Sequence, residues 1–400
     1  MPIVPLSVTD SPLSLTPWPR YDDEQIAAAS RVLASGRVNY WSGQEGRRFE
    51  QEFAQACGCR HGVALANGSL ALSSAYLALG LGQGDELITT PRTFVATASA
   101  AVLLGARPVF ADVDPHSQSI TAASIAPLIT PRTRAIAVVH LGGWPAPMEE
   151  IIDLAQAHGL AVIEDCAQAH GARRGGRPVG SFGDAAAWSF CQDKILSTAG
   201  EGGMVTTNRA ELWDRVWSLK DHGKTWNAVH ERQESPGFRW LHERFGSNFR
   251  LTEVQAAIGR LQLQHLSAWH ATRAAHAARL SQALADLPVV RVPQPQAFED
   301  PGWYRFYCFL RPEALADGWS QARVLTAIVA AGVPAESGSC GEVYLERSFQ
   351  EAGLAPAERL PVARLLGETS LAFQVHPTLT SAQIEACAER IRSVLQSAQR

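Results

Sequence analysis

Leu160-Ala161-Val162-Ile163-Glu164-Asp165 and Ala185-Ala186-Ala187-Trp188-Ser189-Phe190-Cys191-Gln192-Asp193-Lys194 are the stretches on which the reading of this chain turns. Each is a short apolar run that ends on side chains able to do chemistry. An unbroken apolar run of this length suits a strand covered on both faces, the habit of parallel sheets. Outward from these two, further buried-strand runs stand at 61–66, 86–89, 107–111, 135–139 and 203–206. Helical patterns at 70–79, 94–104 and 148–157 fall between them. Alternation of this kind predicts an α/β fold, a largely parallel sheet with helices on both faces. Ligands of such sheets sit at the carboxyl ends of the strands, so functional residues should follow the runs.

The composition narrows the classes. Thirty-five Lys+Arg against 39 Asp+Glu give a net charge of -4, with 46% apolar and 18% charged residues. So apolar a chain is not intrinsically disordered. Its near-neutral balance leaves no footprint for a nucleic-acid polymer or an acidic membrane. The low charge fits either a large, well-filled interior or apolar surface buried against another subunit. The first 20 residues carry no basic side chain before Arg20, and prolines interrupt their apolar runs, unlike a secretory signal. The apolar helix candidate at 94–106 is too short to span a bilayer, which needs about 20 residues. Seven scattered cysteines without a C-x-x-C pair support neither a disulfide framework nor a zinc site. The expectation is a reduced, cytoplasmic protein.

A helix is expected at 22–34, stopped by Gly36, and a long unbroken helical pattern covers 253–284. Beyond it, strand candidates at 289–292 and 304–310 and helices at 321–331 and 382–399 suggest a smaller α+β unit. The expected division is an N-terminal arm over 1–20, a large domain over 21–260, and a linking helix with a small domain over 261–400.

Three features carry chemistry. Asn67-Gly68-Ser69 lies between a strand and a helix. A glycine there admits a ligand to the backbone, and a helix N-terminus with a hydroxyl suits phosphate; the alternative is that Ser69 caps its own helix. Glu164-Asp165 ends a buried strand, where a carboxylate can meet a cationic group or cap the next segment; alternation lets only one of the two share the face of Ile163. Lys194 stands between a buried strand and the permissive Gly200-Glu201-Gly202-Gly203, a setting in which a lysine can form a Schiff base with an aldehyde. Phosphate cradle, strand-end carboxylate and strand-end lysine together are what pyridoxal 5'-phosphate requires. Phe94 is either a ring to stack on that cofactor or a core residue.

The chain resembles the DegT/DnrJ/EryC1/StrS family of sugar aminotransferases. The resemblance rests on Leu65-Ala66-Asn67-Gly68-Ser69, Gly84-Asp85-Glu86, Thr93-Phe94-Val95-Ala96-Thr97, Phe110-Ala111-Asp112-Val113-Asp114 and Val139-His140-Leu141-Gly142. It continues through Ile163-Glu164-Asp165-Cys166-Ala167-Gln168, Gly180-Ser181-Phe182-Gly183-Asp184, Ser189-Phe190 with Lys194, Gly200 to Met204, His222-Gly223, Gly246-Ser247-Asn248-Phe249-Arg250 and Val375-His376-Pro377. These stretches stand in family order over about residues 18–380.

The resemblance implies an aspartate-aminotransferase-like (fold type I) transferase. Lys194 would hold the cofactor aldehyde and shuttle the proton. Asp165 would pair with the pyridine nitrogen, Gln168 would lie near the ring hydroxyl, and Phe94 would stack on the ring. Gly68, Ser69 and Ser189 would hold the phosphate, and Asn248 would reach the phosphate in the neighbouring subunit of a homodimer. The implied substrates are glutamate (or glutamine) and a nucleotide-linked ketosugar. Ser69 replaces a commoner threonine, and Ser247 stands where the family is often aromatic. Some members carry histidine for the lysine and dehydrate; Lys194 favours transamination. Transamination of a cyclitol ketone, dehydration, or a non-catalytic cofactor-binding regulator are the alternatives. A dinucleotide oxidoreductase is disfavoured, because Asp85 breaks the glycine pattern of 80–85.

The stretch 220–250 carries Lys220, Lys224, Trp226, Arg232, Arg239, Trp240, Arg244 and Arg250. It reads either as a cross-subunit loop that meets a nucleotide diphosphate or as an interface-packing loop. His140, His222 and His376 are expected to be structural, and no metal site is expected.

Overall fold

A computed structural model describes residues 13–231 and 239–400. Seven strands form the main sheet: β1 (His61–Leu65), β2 (Glu86–Thr89), β3 (Arg107–Phe110), β4 (Thr133–Val139), β5 (Ala161–Asp165), β6 (Ala185–Ser189) and β7 (Gly203–Thr207). Their order is β1-β7-β6-β5-β4-β2-β3. Every pairing is parallel except the two made by β7. All seven expected runs are therefore strands of one mostly parallel sheet, an α/β fold.

Helices cover both faces because the side chains alternate. Val63, Leu65, Ala187 and Val205 pack on one face under α1 (Gly68–Ala78), where Leu72 and Ala75 are buried. Ala64, Ala186, Trp188 and Met204 pack on the other against Phe49 and Phe53. These two rings come from the helix Glu45–Ala56, which the sequence reading passed over. Its composition is mostly polar, and only its 49/53 pair marks the buried stripe.

The 32-residue helix α2 (Glu253–Leu284) starts in a capping box, Thr252 with Gln255. Its N-terminal part packs on Asp23–Ser35 and Glu45–Ala56. Ala277, Leu280 and Leu284 near its other end join a second core. That core lies against a four-stranded antiparallel sheet with β8 (Val290–Arg291), β9 (Phe306–Leu310), β10 (Ala335–Glu336) and β11 (Ser370–Phe373) in the order β8-β9-β11-β10. The helices Gln321–Ala330 and Ser381–Ser397 close it, and Leu13 and Leu15 pack onto it. Strands β10 and β11 were not foreseen: one is two residues long and the other follows a helix without a turn signal. The seven cysteines are free. Among the described residues, no helix is long and apolar enough to cross a membrane.

The first residue of the basic stretch is part of the core. Lys220 is fully buried, with its Nζ 2.6 Å from Glu50 Oε1 and 3.7 Å from the Tyr40 ring centroid. Glu50 also accepts from the Ala64 amide at 2.9 Å and the Tyr40 hydroxyl at 3.0 Å. Burial opposes the ammonium charge, but Glu50 and Tyr40 outweigh it and lift the Lys220 pKa. Lys220→Ala strands a buried carboxylate, so a loss of about 3–5 kcal/mol is expected, read by chemical denaturation.

Candidate active site

Register brings the chemistry together at one edge. Asp165 stands opposite Val139 on β4 and Ala187 on β6, and Gly203 pairs with both Leu65 and Ser189. The carboxyl ends of β1, β4, β5 and β6 thus meet the start of β7. A cavity of about 750 Å³ opens there. It is lined by Gly68, Ser69, Phe94, Asp165, Gln168, Ser189 and Lys194, seven of the eight residues singled out from the sequence. The eighth, Asn248, is exposed and does not line this cavity; its segment runs beside β1, with Ala66 N–H donating to Phe249 O at 2.8 Å.

The cradle has a steric logic. Asn67, not Ser69, caps α1: its Oδ1 accepts from the Leu70 amide at 2.9 Å. The amides of Gly68 and Ser69 lie before the first turn closes, where a helix cannot satisfy its own donors. The Ser69 hydroxyl is exposed and makes no hydrogen bond among the described residues. A Cβ on Gly68 would lie 2.6 Å from Ser189 Cβ, and one on Gly203 would lie 2.3 Å from Asn67 O. Gly68 is there because the Ser189 side chain closes on it, and Gly203 because two backbones touch. Gly68→Ala must therefore push the cradle off Ser189, and a fall of about tenfold in affinity for the cofactor is expected, checked by titration of the cofactor-free protein.

The two strand-end acids divide the work by face. Glu164 points away from the cavity and is fully buried. It accepts from the amides of Gly180, Phe182 and Gly183, each at 2.7 Å, and meets His140 Nε2 at 3.0 Å. His140 Nδ1 accepts from the Ala146 amide at 3.0 Å, so Nε2 carries the proton. His140, Glu164 and Cys166 lie close enough for a metal, yet the imidazole and the carboxylate are already engaged. Asp165 faces the cavity. Thr97 Oγ1 donates to its Oδ2 at 2.7 Å and the Ala167 amide to its Oδ1 at 3.1 Å. Burial raises its pKa above the usual carboxylate range, against those two hydrogen bonds and the charges of Lys194 and His140. A cation brought into the cavity would reverse that.

Lys194 ends a tight loop after β6. Its amide donates to Cys191 O at 3.0 Å, and Trp18 Nε1 donates to its carbonyl at 2.9 Å. The side chain turns into the cavity, with Nζ 4.8 Å from the Tyr304 ring centroid and 3.8 Å from Asp193 Oδ1. Gln168 bridges the two sheets' surroundings: its Oε1 accepts from the Gly142 amide at 2.7 Å and its Nε2 donates to Ser339 Oγ at 3.1 Å. Phe94 precedes the helix Ala96–Val102 instead of lying within it, and is 64% exposed, so it is no core residue.

The sequence reading missed Thr97, Asp193, Tyr304, Arg305, Tyr307, Glu336, Ser339 and Cys340, which also line the cavity. The polar pair Tyr304-Arg305 opening an apolar strand run was a usable signal; nothing marked 336–340 except Gly338. The basic stretch is tied up internally. Lys224 Nζ and Arg250 Nη1 both reach Asp221 Oδ1, at 3.3 and 2.7 Å. Arg244 pairs with Asp214 at 2.7 Å, and Arg239 donates to Ala228 and Val229 carbonyls at 3.0 and 3.2 Å. Trp226 packs on His230, Trp213 and Trp217, and Trp240 is exposed. Arg232 lies outside the described residues. His222 is exposed outside the cavity. His376 bonds Thr378 at 2.9 Å, and burial with nearby Arg273 and Arg305 lowers its pKa to about 3.

These residues fit pyridoxal phosphate: free amides and a free hydroxyl for the phosphate, a buried carboxylate in want of a cation, and an amine at the cavity wall. Comparison with known proteins agrees. The DegT/DnrJ/EryC1/StrS aminotransferase family model matches residues 19–392. UDP-N-acetyl-3-dehydro-alpha-D-glucosamine 3-aminotransferase of Acidithiobacillus ferrooxidans is 38% identical over 93% of this chain and 94% of its own. The dTDP-3-amino-3,4,6-trideoxy-alpha-D-glucose transaminase of Streptomyces venezuelae is 37% identical over 92% and 91%. The X-ray structure of an aminotransferase from Psychrobacter cryohalolentis superposes with a TM-score of 0.95 at 49% identity, over 96% of this chain and all of that one. Structures of the same fold hold PLP or PMP. The chain belongs to the DegT/DnrJ/EryC1/StrS aminotransferase family and is a pyridoxal-phosphate-dependent aminotransferase.

Proposed function

We propose that the enzyme moves an amino group from glutamate (or glutamine) to the carbonyl of a nucleotide-linked ketosugar, in the cytoplasm, for a polysaccharide, lipopolysaccharide or glycosylated metabolite. The observation that carries this is the meeting of Lys194, Asp165, Gln168 and the Gly68-Ser69 cradle in one cavity of about 750 Å³, in a chain 38% identical to a nucleotide-sugar aminotransferase. Pyridoxal phosphate supplies an electron sink that stabilises negative charge on the substrate carbon.

The protein's part is positioning, charge and proton transfer. Gly68, Ser69 and Ser189 anchor the phosphate through amides and hydroxyls. Asp165 would pair with the pyridine nitrogen, and that cation would offset the burial that raises the carboxyl's pKa in the cofactor-free protein. Phe94 would cover a face of the cofactor ring, and Gln168 would lie near its hydroxyl. Lys194 Nζ removes the proton from the donor's Cα and later returns one to the sugar carbon. Asn248, exposed and outside its own cavity, completes the partner's phosphate site in a homodimer. We divide the chain into an arm over 1–20, a cofactor domain over 21–260, and a linking helix with a small domain over 261–400.

The test is a panel of UDP- and dTDP-linked 3-keto and 4-keto sugars, each incubated with enzyme and L-glutamate and read by mass spectrometry. Amination of at least one member is expected. Amination of free cyclitol ketones alone, or loss of a hydroxyl without nitrogen gain, contradicts the proposal.

A further inference from the structure

We propose that Arg305 is the subsite for a carboxylate of the amino donor, and that Asp193 is its resting counter-charge, displaced when that carboxylate arrives. This rests on the amino-transfer reading above and assigns the donor's place in the same cavity.

Among the described residues, two cationic side chains line the cavity, Lys194 and Arg305, beside four carboxylates, Asp165, Asp193, Glu201 and Glu336. Lys194 is committed to the cofactor. The positive charge left for an anionic substrate is Arg305. Its backbone is fixed across the cavity floor: the Arg305 amide donates to Gly142 O at 3.3 Å and the Gly302 amide to Gly143 O at 2.8 Å. The guanidinium lies 4.3 Å from the Tyr304 ring centroid, and its Nη1 donates to the Tyr304 carbonyl at 3.2 Å. Its Nη2 is 4.0 Å from Asp193 Oδ2, beyond hydrogen-bond reach. The fork that suits a planar carboxylate is thus largely unused, on a side chain only 12% exposed.

Asp193 is held ready instead of bound. The Tyr304 hydroxyl donates to its Oδ2, and Lys194 Nζ stands 3.8 Å from Oδ1. Burial works to raise its pKa, but Lys194, Tyr304 and Arg305 prevail and lower it, so the carboxylate is charged at neutral pH. The arrangement answers a problem set by a two-substrate cavity. An acidic amino acid and a sugar ring without charge must occupy the same space in turn. A lone guanidinium would pair with the first and be left buried without a partner under the second. A counter-charge 4.0 Å away screens it while the sugar is present and gives way to a donor that forms direct hydrogen bonds.

The test uses holoenzyme, glutarate as a carboxylate probe without an amino group, and calorimetry. Arg305→Gln is expected to weaken glutarate about 100-fold, with partial recovery in Arg305→Lys. The reaction of Arg305→Gln holoenzyme with L-glutamate should fall far more than the reaction of the pyridoxamine-loaded variant with a nucleotide ketosugar. Asp193→Asn, which keeps an acceptor for Tyr304, should tighten glutarate several-fold, a direction that a merely structural role would not produce. Unchanged glutarate affinity in Arg305→Gln, or equal loss towards both substrates, overturns the assignment. Failure of the parent reading looks different: wild-type holoenzyme would not lose its colour with L-glutamate, and the assignment would fall with it.

Discussion

Lys194→Ala is expected to bind the cofactor without its visible absorption band and to lose turnover by roughly 10⁴-fold or more. Two functions disappear at once, the covalent hold on the aldehyde and the base that moves the substrate proton. The fold should survive. Nζ makes only a long contact to Asp193 at 3.8 Å and lies over Tyr304, while the loop is held by backbone bonds from Lys194 N to Cys191 O and from Trp18 Nε1 to Lys194 O. Circular dichroism and thermal melting should therefore match wild type while the spectrum and the rate do not. An external primary amine should recover part of the proton-transfer rate, since the cavity left is open to solvent. A variant that keeps its band, or turns over within tenfold of wild type, would remove Lys194 from the centre of the mechanism.

Asp165→Asn is expected to cost about 10³-fold in turnover and yet to leave the cofactor-free protein at least as stable at pH 7. The first effect follows from charge: an amide cannot hold a pyridine nitrogen protonated, so the electron sink weakens. The second follows from the sign of the pKa shift. Burial raises the Asp165 pKa in the folded, cofactor-free protein. Below the unfolded-state pKa both forms are protonated and nothing is lost. As pH rises past that value the unfolded chain gives up its proton first, so the folded state loses stability until it ionises too. Asparagine removes this penalty, and Thr97 Oγ1 can accept from its amide in place of donating. The melting temperature of the cofactor-free variant should equal or exceed that of wild type above pH 5, with the difference vanishing towards pH 3. With the cofactor bound, the order reverses, because only the wild type gains the charge pair.

These two residues also mark how far the sequence could be read. Lys194 and Asp165 were legible because buried parallel strands leave runs of apolar residues, and whatever follows such a run must sit at a carboxyl edge. Gly68 was legible as a close approach, though its cause, the Ser189 side chain at 2.6 Å, is visible only in three dimensions. Asn67 took the capping role that Ser69 was weighed for, which leaves the serine free for a ligand. Between Glu164 and Asp165, alternation told that one faces the site but not which; the turn at 180–183, donating three amides to Glu164, decides it. Arg305, Asp193 and Ser339 escaped notice because their roles depend on which segments meet across the cavity. Lys220 was left undecided for the opposite reason. In sequence it opens a basic row, and in the fold it is the counter-charge of Glu50, 170 residues away.

The most direct measurement of the central claim is a pair of half-reactions followed by absorbance. Purified, cofactor-loaded protein is mixed with L-glutamate and then with a nucleotide-linked ketosugar. The account predicts that the visible band bleaches with stoichiometric release of 2-oxoglutarate, and that the band returns as the aminosugar forms. A protein that takes up no pyridoxal phosphate, or one whose band is untouched by any amino donor, would contradict it.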